Sequence, residues 1–100
     1  MALLGVGESS DAHHLTAPDP EGKGAEAAMR AALADAGLEP GGVGYGNLHG
    51  TGTQANDARE LKACARVFGD APPSLESTKN LTGHCLGAAG ALEAIATIFS

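Results

Sequence analysis

The chain is 100 residues long, 43% apolar and only 3% aromatic, with 15 glycines and a formal net charge of −6. That bounds it to one domain at most, with a core of Ala and Leu rather than large rings. The acidic balance excludes nucleic acid as an expected partner, because a phosphate backbone would be repelled.

In chain order, Ala2-Leu3-Leu4-Gly5-Val6 reads as a buried strand over about 2–7, followed by a polar loop from Glu8 to Glu21 with Pro18 and Pro20. Ala25, Ala28, Met29, Ala32, Leu33 and Ala36 recur at helical spacing, which predicts a helix over about 22–36 stopped by Gly37. After Pro40-Gly41-Gly42 comes a strand at about 43–48, then a turn at His49. A helix at 57–68 follows, with Asn56 as its expected N-cap and Gly69 past its end. Pro72-Pro73 precedes a short strand near 74–77, and the Lys79–Gly83 turn leads into a last helix from about Leu86. Strands alternating with helices predict an α/β layered architecture.

From Gly87 to Phe99 the last helix carries one charge, Glu93, and is otherwise small or apolar on every side. Such a helix is expected to be buried on every side. Both chain ends also fall inside apolar elements. The expectation is therefore a fragment, residues 1–100, truncated at both ends. Cys64 and Cys85 form no CxxC pair, and neither a basic leader nor a membrane-length apolar run is visible. A soluble chain in the reducing cytoplasm, with no membrane partner, is expected.

Two short histidine segments carry the chemistry. His49-Gly50-Thr51-Gly52-Thr53 follows a strand, at the end where α/β folds place binding sites. Lys79-Asn80-Leu81-Thr82-Gly83-His84 opens the last helix. A helix N-terminus lowers the pKa of a nearby imidazole and keeps it neutral. Two neutral imidazoles donating to one carbonyl oxygen stabilise an enolate. Lys79 adds positive potential there, and Asp57 and Glu60, three apart on one helix face, are candidate partners for Lys79 or a cation; an acidic first turn favoured by the helix dipole is the other reading. No phosphate loop is present, since no Lys follows in the Walker pattern. No metal is expected: His13 and His14 are adjacent loop residues, and no His or Cys pair has zinc-ligand spacing. Cys64 shares a helix face with Leu61, Ala65 and Phe68 and reads as core; Cys85, at a helix start, also reads as a packing residue.

His49-Gly50-Thr51-Gly52-Thr53 with Asn56-Asp57, then Ser77-Thr78-Lys79 through Gly83-His84-Cys85-Leu86-Gly87-Ala88-Ala89-Gly90, closely resembles the C-terminal half of β-ketoacyl-acyl carrier protein synthases. The likeness extends upstream through Gly7-Glu8-Ser9-Ser10-Asp11-Ala12-His13-His14. It implies a partial thiolase-like α/β fold, the C-terminal half of a layered αβαβα architecture. It implies His49 and His84 as the active-site histidines, Lys79 as the active-site lysine, Glu60 as its acidic partner with Asp57 nearby, and Thr51 and Thr53 against a phosphopantetheine arm. That arm, carried by an acyl carrier protein, is the only cofactor-like group implied.

The resemblance further implies acyl transfer to an upstream cysteine, decarboxylation of malonyl-carrier protein, attack of the enolate on the acyl thioester, and a homodimer. Fatty-acid and polyketide or polyene synthesis are both compatible. The family's nucleophilic cysteine and its Gly-Phe-Gly-rich segment have no counterpart here, so the isolated chain is expected to be inactive in elongation. The rival readings are a thiolase acting on acyl-CoA and a non-catalytic chain, either a subunit resembling a chain-length factor or a truncated, decayed copy.

Overall fold

The structure is a computed structural model that describes residues 2–10, 20–70, 72–77, 79 and 89–98. The alanine-rich stretch, strong in helix propensity, forms α1 over Lys23–Ala36. Gly37, at φ 69°, ends it: its N–H donates to Ala34 C=O and the Leu38 N–H donates to Leu33 C=O, a Schellman closure. A 3-10 turn at Pro40–Gly42 leads to β1, Tyr45–Asn47. Helix α2 spans Gln54–Phe68, β2 spans Ser74–Glu76, and α3 spans Ala89–Ile98.

Strands β1 and β2 pair in parallel, with Tyr45 opposite Ser74, Gly46 opposite Leu75 and Asn47 opposite Glu76. Parallel neighbours need a crossover, and α2 supplies it. Both strands therefore end at the same edge, with the His49 turn after one and Lys79 after the other. Among the described residues Ala63, Cys64 and Val67 on α2 are enclosed, as is Pro73 just ahead of β2. An apolar cavity of about 410 Å³ lies between α1, α2 and the sheet, with Ala28, Met29, Cys64, Phe68 and Leu75 in its walls.

Helix α1 packs on α2 through its entry. Gly22 sits at φ 71°, and a Cβ there would come 2.5 Å from Arg59 C=O. Around this contact Arg66 donates to Glu21 and Glu26, Lys62 pairs with Glu21, and Arg30 donates to Arg66 C=O at 3.0 Å. The Arg30 hydrogen bond lowers the Glu26 pKa below the ordinary carboxylate value and outweighs the desolvation that raises it; Arg66 adds to the lowering. Such exposed pairs orient the helices more than they stabilise them.

Three expectations change. Residues 2–7 do not form a strand: Leu3, Leu4 and Val6 are exposed. A strand is defined by a ladder to a neighbour, and neither of the two described strands makes one with residues 2–7. Instead Gly5 and Gly7 lie against the backbone of α1, and the Val6 N–H donates to Asp35 Oδ2 at 2.9 Å. Helix α2 begins three residues earlier than expected, because Thr53 Oγ1 rather than Asn56 is the cap, accepting from the Asn56 N–H at 3.3 Å. Helix α3 is not covered on all sides, since Ile95 and Ile98 are about half exposed, at 54% and 49%. No described element packs over them. The loop residues His13, His14 and Pro18 and the expected start of the last helix at Leu86 lie outside the described residues.

A Gly22→Ala substitution should lower the unfolding free energy by about 2 kcal/mol, from left-handed backbone strain plus the clash with Arg59. Gly44→Ala, where a Cβ meets open space, should be neutral or stabilising by up to about 1 kcal/mol. Denaturant melts of both variants check this, and equal losses would contradict the packing described.

Candidate active site

The His49 turn is held from below by one carboxylate. Glu60, on the first turns of α2, accepts the His49 N–H at 2.5 Å through Oε1 and the Gly50 N–H at 2.8 Å through Oε2. Asn56 Nδ2 donates to the same Oε2 at 3.2 Å and to Asp57 Oδ1 at 3.4 Å. Two successive amides aimed at one anion make a backbone nest. Charge-assisted bonds of this kind are about twice as strong as neutral ones. The polar ties matter because packing is sparse behind the turn: a cavity of about 250 Å³ opens there, with Leu48, Gly50, Asp57, Glu60, Leu75 and Ser77 in its lining.

Beyond the turn, Thr51 Oγ1 and Thr53 Oγ1 lie 3.1 Å apart, and Thr53 is exposed while Thr51 is half-buried. Two neighbouring hydroxyls of this kind can receive or donate along a polar substrate arm. His49 itself is exposed, at the C-terminal end of β1.

Lys79 is buried, at 8% exposure, and its Nζ pairs with Glu93 Oε1 on α3. The expected pairing of Lys79 with Glu60 is thus corrected. The carboxylate of Glu60 is committed to the turn amides, and the acid facing Lys79 is Glu93. The missed residue had a visible signal, since Glu93 is the one charge in an otherwise apolar helix. A buried charge requires a partner, and Lys79 is a cation 14 residues before it in the chain. Asn47, the last residue of β1, donates through Nδ2 to the Glu93 C=O at 3.4 Å and so ties α3 to the strand. Its Oδ1 is buried without a hydrogen-bond partner among the described residues.

His84, with Asn80 to Gly83 and Cys85, lies outside the described residues. The structure therefore brings His49, Glu60, Asp57, Thr51 and Thr53 to one end of the sheet and Lys79 to the same edge. Cys64 is a buried free thiol on α2. Desolvation raises its pKa, and the Glu60 carboxylate raises it further. That disfavours the thiolate, so Cys64 is unsuited to be a nucleophile. Among the described residues no cluster of three or more His, Cys, Asp or Glu has the geometry to hold a metal, and no helix is long and apolar enough to cross a membrane.

Comparison with known proteins assigns the class. A ketosynthase from Xenorhabdus doucetiae, solved in complex with its chain length factor, superposes with a TM-score of 0.87 at 60% identity, over 93% of this chain and 23% of that one. A type II polyketide ketosynthase, solved with its acyl-carrier protein and bound to the hexaketide, superposes with a TM-score of 0.89 at 34% identity, over 95% of this chain and 24% of that one. The α/β arrangement is thus part of a thiolase-like ketosynthase fold. The family model described as the β-ketoacyl synthase C-terminal domain matches residues 1–100, and the chain belongs to that family. The 3-oxoacyl-[acyl-carrier-protein] synthase 2 of Staphylococcus aureus is 50% identical over 100 residues, covering 98% of this chain and 25% of that protein. The chain spans about a quarter of the length of such relatives.

Removing the carboxylate of Glu93 alone should strand the Lys79 ammonium and cost about 3 kcal/mol or more. The double substitution Lys79→Met with Glu93→Leu should recover most of that loss, because no charge is left buried. Thermal melts of the two proteins decide it. A double variant no more stable than Glu93→Ala would show that the pair is not coupled as described.

Proposed function

We propose that this chain supplies the decarboxylating and enolate-stabilising part of a β-ketoacyl-acyl carrier protein synthase active site. In this reading His49 and His84 donate to the thioester oxygen of a malonyl group on an acyl carrier protein. Loss of carbon dioxide leaves an enolate, and the two donors stabilise the charge on its oxygen. The enolate carbon then attacks an acyl thioester on a cysteine, whose thiolate leaves, giving a β-ketoacyl-carrier protein. Lys79 holds positive potential at the same edge, with its own charge balanced by Glu93. Glu60, with Asp57 beside it, supports the His49 turn. Thr51 and Thr53 line the path of the phosphopantetheine arm, the only cofactor-like group required.

The observation that carries this reading is the match of the whole of residues 1–100 to the family. The placement of His49 and Lys79 beyond the C-terminal ends of adjacent parallel strands supports it, since α/β folds bind ligands there. The nucleophilic cysteine is one outside these residues, a view supported by the burial and raised pKa of Cys64. Residues 1–100 are accordingly one part of a longer catalytic unit, acting in the cytoplasm as a homodimer, in fatty-acid or polyketide synthesis.

In the protein expressed from its full reading frame, His49→Ala should slow carbon dioxide release from malonyl-carrier protein by about a hundredfold or more, the usual cost of one oxyanion donor. Radiolabelled carbon dioxide release measures this. A variant as fast as wild type would remove His49 from the reaction.

A further inference from the structure

One hydroxyl joins the two functional turns. Ser77 follows directly on β2, and its Oγ donates to the Gly50 C=O at 3.3 Å. The same Oγ accepts the Lys79 N–H at 3.4 Å. A hydroxyl donates and accepts through a single atom, so a carbonyl of one turn and an amide of the other are bridged by one group. The approach is close as well as polar. A Cβ on Gly50 would sit 2.5 Å from Ser77 Cβ and 2.6 Å from its Oγ, and Gly50 adopts φ 46°. No side chain fits at Gly50 without displacing Ser77, so turn and hydroxyl are in direct contact.

The Gly50 peptide is thereby held on both sides. Glu60 accepts the Gly50 N–H at 2.8 Å, and Ser77 donates to the Gly50 C=O. The cavity of about 250 Å³ beside this peptide leaves these polar ties as the restraint on the turn. His49 immediately precedes it, so its backbone position follows the Gly50 peptide. Lys79 lies two residues after Ser77, and its amide shares the same oxygen.

We propose that Ser77 is a positioning residue that sets His49 and Lys79 in register with each other. It touches no substrate and acts through the two turns; the proposal rests on the function proposed above. Its loss separates two half-reactions. Decarboxylation of the malonyl thioester depends on where His49 points relative to the second turn. Acyl transfer onto the nucleophilic cysteine does not use this bridge.

The test uses the protein from its full reading frame, with Ser77→Ala compared with wild type and with Ser74→Ala, an exposed position on β2. Carbon dioxide release from malonyl-carrier protein, acyl transfer from acyl-carrier protein in the absence of malonyl groups, and the thermal midpoint are measured for each. Ser77→Ala should reduce decarboxylation about tenfold, as expected for loss of a positioning hydrogen bond. Acyl transfer and the midpoint should match those of Ser74→Ala. If Ser77→Ala does not accumulate as folded protein, Ser77→Cys replaces it, because a thiol fills the space but bonds weakly; the same split is expected. Parallel loss of both half-reactions with a lowered midpoint overturns the proposal, and so does unchanged decarboxylation. A wild-type protein that releases no carbon dioxide refutes the proposed function itself, a result distinct from a variant that matches an active wild type.

Discussion

The carboxylate of Glu60 is the fixed point of the site. It stands on α2, where Thr53 caps the helix and Asn56 reaches forward to the same oxygen. From there it takes the amides of His49 and Gly50. Backbone donors in a turn must be satisfied by something, and a turn of Gly and Thr has little apolar surface with which to hold itself. The helix thus dictates the shape of the turn, and the turn dictates where His49 sits beyond β1. Strand, turn and helix form one mechanical unit, in which the capping of α2 and the placement of an imidazole are the same problem.

The second half of the edge follows a different logic. Lys79 is enclosed, and an enclosed ammonium is tolerated only beside a counter-charge. Glu93 provides it from α3, and Asn47 anchors the Glu93 carbonyl to the last residue of β1. The ion pair therefore docks α3 onto the sheet at the level where both functional turns emerge. Its value lies in specifying that register more than in net stability, since a well-packed apolar pair could fill the same space. Ile95 and Ile98 on α3 remain about half exposed.

Much of this was legible in the sequence. Helices α1 and α2 and the strands that flank α2 announced themselves through alanine periodicity, glycine stops and proline breaks, within a few residues of their observed limits. The resemblance implies one site for the His49 turn, Asp57, Glu60, Thr51 and Thr53, and the structure gathers them at one strand end. What spacing could not supply was pairing. Leu3, Leu4 and Val6 have the composition of a strand, but a strand is defined by its neighbour, and none of the described strands pairs with them. Asn56 has the chemistry of a cap, yet Thr53 lies one turn nearer the glycine-rich segment and takes that role. The resemblance implies Glu60 as the acidic partner of Lys79, whereas Glu60 accepts the turn amides, which compete for a carboxylate as effectively as an ammonium does. Glu93 was the informative charge in its apolar surroundings, and its partner became clear only when α3 was seen beside β1.

The central claim is that Glu60 fixes the turn by accepting its two amides, and amide hydrogen exchange reads that directly. In the protein expressed from its full reading frame, the His49 and Gly50 amides should exchange slowly for residues in an exposed turn. Glu60→Gln retains the size of the side chain but offers one acceptor oxygen in place of two. It should speed exchange at one or both positions by about tenfold, in line with a lost hydrogen bond to a charged group. Rapid exchange at both amides in the unmodified protein, or protection unchanged by Glu60→Gln, would contradict the account.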